Sequence, residues 1–327
     1  MIGSILFVIV LLAACLIYAV VKIRFTPSVS TPRPDSAVSG DIRQLYKHVE
    51  HLSVRIGSRS VYEYGKIEEA RRYIASCLEG FGYVPEFQKY TYEGQVYSNV
   101  IVSIKGKTHP DETVIIGAHY DTVDGTPGAD DNGSAVAVLL EICRMMKGSS
   151  PGRTLKLIFF VLEEPPLFRS EYMGSHVYAS AAKGRREDVK AMISLEMLGY
   201  YSDKKGGQTF PLPLMGLFYP STPDFIAVVG DLQSRSLVEK IKKSLKQGSK
   251  MPVETLSTVS FVPGVDFSDH RAFWKMGYSA VMITDTAFYR NPNYHTERDT
   301  VDTLDYGRMH DLLNGLVEVA KDLATPR

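Results

Sequence analysis

The sequence predicts an α/β protein in which a mixed, mostly parallel central sheet is covered by helices on both faces. Three observations lead to this fold class: several short runs are apolar throughout, stretches of helical periodicity separate them, and 44% of the 327 residues are hydrophobic. Strands that are apolar on both sides are buried on both sides, as in parallel sheets covered by helices. The length suits one large or two modest domains.

The first part of the fold is predicted to hold two helices and a hairpin. Residues 41–53 and 65–79 are the predicted helices, and the second has apolar side chains at near-helical spacing. Residues 83–92 and 96–104 are predicted strands, joined through the dipeptide Glu93-Gly94.

From residue 114 onward, strands and helices alternate. The predicted strands are 114–118, 155–162, 191–195, 225–230 and 280–284. The predicted helices are 134–146, 171–182, 234–246 and 306–323. Ligand sites in such sheets lie beyond the carboxyl ends of the strands, so the residues that follow each strand are the candidates for function.

One stretch at such a strand end is unusually acidic. Residues 117–135, GAHYDTVDGTPGADDNGSA, follow the apolar run 114–116 and hold one His and four Asp without Lys or Arg. Carboxylates beside a core are costly, because desolvation and like-charge repulsion add. We therefore expect a cation at this place.

The other strands deliver similar side chains to the same edge of the sheet. The candidates are His119, Asp121 and Asp131 after the first of these strands, Glu163 and Glu164 after the second, Glu196 after the third, and Tyr294 and His295 beyond the last. Carboxylates and imidazoles without thiolates suit zinc best, with manganese or cobalt as alternatives. The pattern predicts one or two divalent metal ions.

Five motifs resemble, in this order, those of the di-zinc exopeptidases: GAHYDTVDGTPGADDNGSA, VLEE, SLEMLGY, FSDH and YHTERDT. That family includes bacterial leucyl aminopeptidases and glutamate carboxypeptidase II, with glutaminyl cyclases as relatives. The resemblance covers residues 67–323 and implies the zinc exopeptidase fold, a phosphorylase/hydrolase-like three-layer sandwich. It also implies a metal-dependent exopeptidase with two zinc ions per chain and peptides as substrates, and it favours an aminopeptidase.

The resemblance further implies which residues bind the metal. His119 and Glu196 would bind one zinc ion, and Glu164 and His295 the other. Asp131 would bridge both ions. Glu196 departs from the family, in which Asp is the commoner residue at that place, but a side chain one methylene longer can still ligate.

Three further residues receive catalytic roles from the resemblance. Glu163 would be the general base, which takes a proton from a water shared by the two ions and returns it to the leaving amine. Asp121 would accept the second imidazole N–H of His119 and fix its tautomer. Tyr294 would donate a hydrogen bond to the developing oxyanion.

Several neighbouring residues are expected to serve the structure. Asp130 is expected to be a turn or helix N-cap acid, and Asp269 and His270 of the FSDH motif are expected to be structural or to lie behind the ligands. Arg169 belongs to a segment, EPPLFRS, that stands where the family usually has Gly-rich residues. We expect it on the surface, with a substrate carboxylate as its alternative partner. Residues 200–223 are expected to border the cleft and shape the substrate pocket.

The first forty residues are expected to lie outside the folded domain. Residues 5–21 are apolar without charge or proline, which favours a single-pass membrane anchor over a lipoprotein signal ending at Cys15 or a cleaved signal peptide. Residues 26–40 are rich in Pro and Ser and are typical of a linker. The expected domains are therefore an anchor or signal segment at 1–25, the linker, and a catalytic domain at 41–327.

Composition and charge limit the partners. The catalytic domain is expected on the extracytoplasmic side of the membrane, although Lys22 and Arg24, taken alone, favour the cytoplasmic side, so the orientation stays open. A net formal charge of zero argues against a basic nucleic-acid groove. Cys15, Cys77 and Cys143 are too few for a disulfide scaffold.

Two other functions remain open on the sequence alone. One is a glutaminyl-cyclase-like acyltransferase that uses a single zinc ion, bound by Asp131, Glu164 and His295. The other is a non-catalytic peptide-binding ectodomain. Because His119 and Glu196 are also present, two metal ions and hydrolysis are favoured over both.

Overall fold

The structure, a computed structural model, describes residues 40–326. The strands are β1 (Glu86–Tyr92), β2 (Gln95–Ile104), β3 (His109–His119), β4 (Arg153–Phe160), β5 (Asp188–Glu196), β6 (Ile226–Asp231), β7 (Val253–Thr258) and β8 (Ala280–Thr284). The α-helices are α1 (Gly40–Glu50), α2 (Tyr64–Gly80), α3 (Ala135–Met146), α4 (Gly174–Gly184), α5 (Arg235–Gly248), α6 (His270–Lys275) and α7 (Tyr306–Leu323). Short π turns (His51–Ile56, Ala129–Ser134) and 3₁₀ turns (Pro213–Leu217, Ala287–Tyr289, Val301–Thr303) complete the fold.

All eight strands form one mixed sheet in the order β1-β2-β4-β3-β5-β8-β6-β7. The four central strands β4, β3, β5 and β8 are parallel neighbours. They therefore end at the same edge of the sheet, which we call the carboxyl edge. The sheet is flanked by the antiparallel pair β1 and β2 on one side and by β6 and β7, which run opposite to β8, on the other.

The direction of β6 follows from the connection that precedes it. No α-helix lies between the end of β5 and the start of β6. The chain consequently stays at the carboxyl edge for the whole of residues 197–225 and enters β6 from that edge. This is the segment that was expected to border the cleft.

Helices cover both faces of the sheet, as predicted. In β3, Val114 and Ile116 point into a large core shared with α1, α2, α3, α5 and α7, whereas Ile115 points into a smaller core shared with α4 and α6. Alternating side chains that are all buried require cover on both faces. The three-layer α/β architecture is confirmed.

The predicted elements are found with shifted ends, and two short ones were missed. The hairpin turns at Glu93 and Gly94, both with positive φ (46° and 77°), as a two-residue turn between twisted strands requires. β3 begins at His109 and not at residue 114, because its first residues, HPDE, lie outside the apolar run. The strand β7, VETLST, and the six-residue helix α6 carry too few apolar residues to be recognised.

The segments predicted as anchor (5–21) and linker (26–40) lie outside the described residues, apart from Gly40. Between residues 40 and 326, none of the helices is long and apolar enough to cross a membrane.

Candidate metal centre

The five predicted ligands meet at the carboxyl edge. His119 ends β3, Glu164 follows β4, Glu196 ends β5, and His295 lies beyond β8. Asp131 lies in the turn between β3 and α3. Two sets of three donors are close enough to hold one ion each: His119, Asp131 and Glu196 form one, and Asp131, Glu164 and His295 form the other.

Asp131 belongs to both sets and gives one oxygen to each. Its Oδ1 lies 3.5 Å from Nε2 of His119, and its Oδ2 lies 3.1 Å from Nε2 of His295. The outer acids complete the pattern. Glu196 Oε1 is 3.4 Å from His119 Nε2, and Glu164 Oε2 is 3.4 Å from His295 Nε2. The predicted grouping of the ligands is therefore present in the geometry.

These spacings fit tetrahedral zinc. Nitrogen and oxygen donors lie about 2.0–2.1 Å from zinc, so two donors of a tetrahedral site are about 3.3 Å apart. The four donor pairs above span 3.1–3.5 Å. His295 Nε2 and Glu164 Oε1 are buried and have no hydrogen-bond partner among the described residues. His295 Nε2 lies near the Asp131 Oδ2 and Glu164 Oε2 atoms of the same donor set.

The carboxylates of the centre create a negative potential that favours positive charge. Burial lowers the pKa of His119, but Glu196 and Glu163 outweigh burial and raise that pKa well above its ordinary value. Burial also lowers the pKa of His295, but Asp131 and Glu164 outweigh burial and raise that pKa to about 10. Imidazoles that take up protons beside carboxylates supply the charge that divalent cations would otherwise bring.

Strained backbone surrounds the ligands. Leu162, Met197 and His295 all have positive φ, at 64°, 48° and 55°. Leu162 precedes the Glu163-Glu164 pair and Met197 follows Glu196. Non-glycine residues in this region of conformational space are uncommon and cluster at functional sites.

Glu163 lies within the centre but slightly apart from it. Its Oε2 is 3.9 Å from His119 Nε2, the longest such separation in the group. With His119 and Glu164 it could also form a donor set. Burial raises the pKa of Glu163 well above the ordinary value, and Glu164 adds to this while His119 opposes it. The raised pKa makes the Glu163 carboxylate a stronger proton acceptor than an exposed glutamate.

Asp121 holds His119 and the loop that carries Glu164. Its Oδ1 lies 3.5 Å from Nδ1 of His119, which is also 3.2 Å from the Asp121 carbonyl oxygen. Its Oδ2 accepts a hydrogen bond from the backbone N–H of Glu164, at 3.0 Å. A partner at Nδ1 leaves Nε2 as the imidazole nitrogen that faces the centre.

Asp299 positions Asp131, a role that the sequence analysis did not assign to it. Its two carboxylate oxygens accept hydrogen bonds from the backbone N–H groups of Asp130 and Asp131, at 2.9 and 3.0 Å. The Asp131–Asn132 peptide bond that follows is cis. The available signal in the sequence was the spacing in HTERD, where Asp299 comes four residues after the predicted ligand His295.

Arg59 was missed altogether, although it is fully buried behind the centre. Its guanidinium donates hydrogen bonds to five carbonyl oxygens, those of Leu52, Gly57, Tyr120, Pro127 and Gly128. Burial lowers its pKa to about 10, and Asp121 and Asp299 act in the opposite direction. Arg59 lies in a segment outside the five motifs, so nothing local in the sequence identifies its role.

Asp130 is not a helix cap, contrary to expectation. Its oxygens accept hydrogen bonds from Gly199 N–H (2.9 Å) and from Asn291 Nδ2 (2.7 Å), and no side chain caps α3. It ties the connections after β3, β5 and β8 together.

The FSDH motif lies behind the ligands, as expected. Ser268 donates a 2.6 Å hydrogen bond to Glu196 Oε2, and His270 Nε2 donates to the Val265 carbonyl oxygen. Asp269 is fully buried, and burial raises its pKa to about 7. None of these residues belongs to a donor set.

An open cavity adjoins the centre on the β8, β6 and β7 side. Glu196 and Tyr294 form its border with the metal ligands, and the Tyr294 ring stacks on the His295 ring with centroids 3.7 Å apart. The walls are mostly apolar. They include Phe210 and Tyr219 from the segment at 200–223, which confirms that this segment shapes the pocket.

Arg169 is engaged outside this cavity. Its Nη2 pairs with Asp266 Oδ1 at 2.6 Å, and the guanidinium lies over the rings of Phe168 and Phe267. Its side chain is 42% exposed. The expected surface position is confirmed, and Asp266 is its carboxylate partner.

Comparison with known proteins gives the same picture. A family model described as peptidase family M28 matches residues 99–320. An uncharacterized protein of Escherichia coli K12, YfbL, is 38% identical over 296 residues, which is 88% of this chain and 88% of that protein. A probable leucine aminopeptidase of Trichophyton verrucosum is 30% identical over 228 residues, 64% of this chain and 53% of that protein. The chain thus spans about half the length of this second relative.

Solved structures share the fold at low sequence identity. BSAP, a zinc aminopeptidase from Bacillus subtilis, superposes with a TM-score of 0.70 at 15% identity over 86% of this chain and 94% of that one. A glutaminyl cyclase from Bacteroides thetaiotaomicron gives 0.63 at 20% identity over 89% of this chain and 99% of that one. Both similarities concern the fold alone.

Proposed function

The chain belongs to peptidase family M28, and from that premise we propose that it is an aminopeptidase with two zinc ions per chain and Glu163 as general base. Membership in the family supports a zinc-dependent peptide hydrolase. One observation carries the finer proposal: Asp131 directs one carboxylate oxygen to each of two His–Glu pairs. A single ion would be bound by one of these His–Glu pairs together with Asp131, so the presence of both pairs supports two ions.

Zinc at these positions would supply Lewis-acid chemistry, which polarises a peptide carbonyl and makes water easier to deprotonate. The chain's own residues do the rest. Glu163, whose Oε2 lies 3.9 Å from His119 Nε2, takes the proton of the attacking water and returns it to the leaving amine. Tyr294 lies at the border of centre and cavity and keeps its phenol proton, because burial raises its pKa well above the ordinary value. It can therefore donate a hydrogen bond to the carbonyl oxygen as negative charge develops.

The charge around the cavity favours the amino end of a peptide over the carboxyl end. Glu254 lines the cavity, and no Lys or Arg does so among the described residues. Its carboxylate attracts a protonated α-amine and would repel a substrate carboxylate. Arg169, for which a substrate carboxylate was the alternative partner, is paired with Asp266.

Substrate blocking tests this assignment. We expect the zinc-loaded protein to hydrolyse leucine p-nitroanilide and Leu-Ala-Ala, but neither N-acetyl-leucine p-nitroanilide nor N-acetyl-Leu-Ala-Ala. Removal of zinc by a chelator should abolish the activity, and added zinc should restore it. Cleavage of the acetylated tripeptide from its carboxyl end would reject the aminopeptidase. Cyclisation of an N-terminal glutamine without hydrolysis of either leucine substrate would favour the cyclase.

The membrane anchor expected at residues 5–21 remains part of the proposal. Asp41 in the first turn of α1 pairs with Arg144 Nη2, in the last turn of α3, at 2.7 Å. Because α3 runs back from the carboxyl edge, the chain enters the domain at the opposite edge, away from the metal centre. We expect the full chain to stay in the membrane pellet after carbonate extraction and a chain starting at residue 40 to be released. Release of both would reject the anchor.

A further inference from the structure

The loop at residues 165–172, which follows Glu163 and Glu164, makes aromatic contacts in two directions. Phe168 packs its ring against Phe267, a wall residue of the cavity, with centroids 5.8 Å apart. Four residues later, Tyr172 packs against Tyr92, with centroids 4.9 Å apart. Residues 165–172 therefore connect the cavity to the opposite end of the sheet. This is the segment that replaces the Gly-rich residues usual in the family.

Tyr92 lies at the carboxyl edge. β1 is antiparallel to β2, and β2 is antiparallel to β4, so β1 runs in the same direction as β4 and ends at the same edge. Tyr92 is the last residue of β1. Its hydroxyl donates a hydrogen bond to Glu93 Oε1, at 3.0 Å.

Two tyrosines thus form a surface that we call the tyrosine shelf: Tyr92 and Tyr172, whose ring centroids lie 4.9 Å apart. Tyr172 is 38% exposed. The shelf rests on buried rings that lead to the metal centre, since Tyr92 contacts Tyr97 and Tyr97 contacts Tyr90, both with centroids 6.4 Å apart. The Tyr90 hydroxyl donates to the carbonyl oxygen of Val161, two residues before Glu163.

Cavity, metal centre and shelf follow one another along the sheet. The cavity lies over β8, β6 and β7, the ligands come from β5, β3 and β4, and the shelf begins at β1. A peptide whose first side chain fills the cavity and whose first bond lies at the metal centre continues toward the shelf. Tyr92 is two strand spacings, about 10 Å, beyond β4, and an extended peptide advances about 3.3 Å per residue.

We propose that the tyrosine shelf binds the side chain of about the third residue after the cleaved bond, so that the enzyme acts on extended peptides and favours an aromatic residue there. This inference rests on the proposed aminopeptidase function. Exposed tyrosines give large contact area at low entropic cost, and an aromatic pair contributes beyond its burial. The shelf acts on binding and makes no contact with the reacting atoms.

A positional scan tests the shelf. The substrates are Leu-Ala-Ala-Ala-Ala-amide and four versions in which one Phe replaces Ala at position 2, 3, 4 or 5. We expect kcat/KM to rise about two- to tenfold, mainly through KM, when Phe stands at position 4. Tyr172→Ala should remove that gain, whereas Tyr172→Phe should keep it.

Leucine p-nitroanilide, which does not reach the shelf, separates the possible failures. Its kcat/KM should be the same in the wild type and all shelf variants, which also shows that they fold and bind zinc. Leu232→Ala is a matched control, because Leu232 is 61% exposed and follows β6, which runs away from the carboxyl edge. A flat positional scan with active anilide hydrolysis would overturn the shelf alone, as would an equal loss for both substrates in the variants. Absence of anilide hydrolysis in the wild type would overturn the aminopeptidase and the shelf with it.

Discussion

The metal centre and the neighbouring cavity share one edge of the sheet but are built in different ways. Every proposed ligand of the centre lies at a strand end or on a connection at the carboxyl edge. Asp121 and Asp299 accept hydrogen bonds from backbone N–H groups of the loops that carry Glu164 and Asp131. The cavity is bordered by the long connection at 197–225 and by residues 263–265. Leu214, Phe218 and Phe261, which lie in or close to these segments in sequence, are 70%, 82% and 84% exposed.

This difference separates chemistry from specificity. Residues at the ends of parallel strands are held by the sheet itself, so their identity predicts the reaction that they can perform. The cavity is shaped by side chains from distant segments, which meet only in the folded protein. Changes at the centre should therefore abolish activity or zinc binding, whereas changes at the cavity should alter only which residue is removed.

Glu163→Gln is expected to have the largest effect. The amide cannot accept the proton of the attacking water, so kcat should fall by about 10²–10⁴ with zinc retained. Glu164→Gln is the matched control, because it removes a proposed ligand and should lower the zinc content as well. Steady-state kinetics with metal analysis measures both. Full activity in the Glu163 variant would refute the assignment of the base.

Arg59→Met is expected to lower the free energy of unfolding by about 3–5 kcal/mol, because five buried carbonyl groups lose their donor. Arg55→Met is the control. Arg55 is 67% exposed and lies 3.8 Å from Glu50, and its loss should cost less than about 1 kcal/mol. Urea denaturation measures both variants. Equal stability of the two would show that the rigid support of the centre does not depend on Arg59.

Asp299→Ala is expected to weaken zinc binding, although it leaves every proposed ligand side chain unchanged. The N–H groups of Asp130 and Asp131 lose their acceptor, so the bridging carboxylate is no longer held in place. Loss of such a supporting partner lowers metal affinity by about 10- to 100-fold. Competition with a chelator measures the affinity, and Glu297→Ala, exposed in the same loop, is the control. Unchanged affinity in the Asp299 variant would count against its positioning role.

Ala227→Phe should have the smallest and most selective effect. Ala227 lies on β6 in the wall of the cavity, and a phenyl group there would fill part of the space. We expect kcat/KM for leucine p-nitroanilide to fall about tenfold, with alanine p-nitroanilide and zinc content nearly unchanged. An equal loss for both substrates would show that the cavity does not receive the first side chain.

The sequence alone identified the centre better than it identified its supports. His119 and Glu196 end strands, and Glu164 and His295 lie on the connections that follow strands, so residue type and position carry the information. Asp299 and Arg59 act through backbone groups far away in sequence, and such partners are visible only after folding. The acid Asp130 was misread for the same reason, since its partners Gly199 and Asn291 lie on other connections.

The fold shows the same division. Long apolar strands and amphipathic helices were predicted, whereas β7 and α6 were not, because their stability comes from packing against the sheet and not from their own residues. The reversed direction of β6 follows from the absence of an α-helix between β5 and β6. That absence was visible in the sequence, and it could have predicted the antiparallel strand.

Zinc stoichiometry tests the central claim most directly. Metal analysis of the purified, zinc-saturated protein should give two ions per chain, and each of the variants Glu196→Ala and His295→Ala should give about one, because each removes an outer ligand from only one donor set. Asp131→Ala should weaken both. A wild type that saturates at one ion, or outer-ligand variants that keep two, would contradict the two-ion centre.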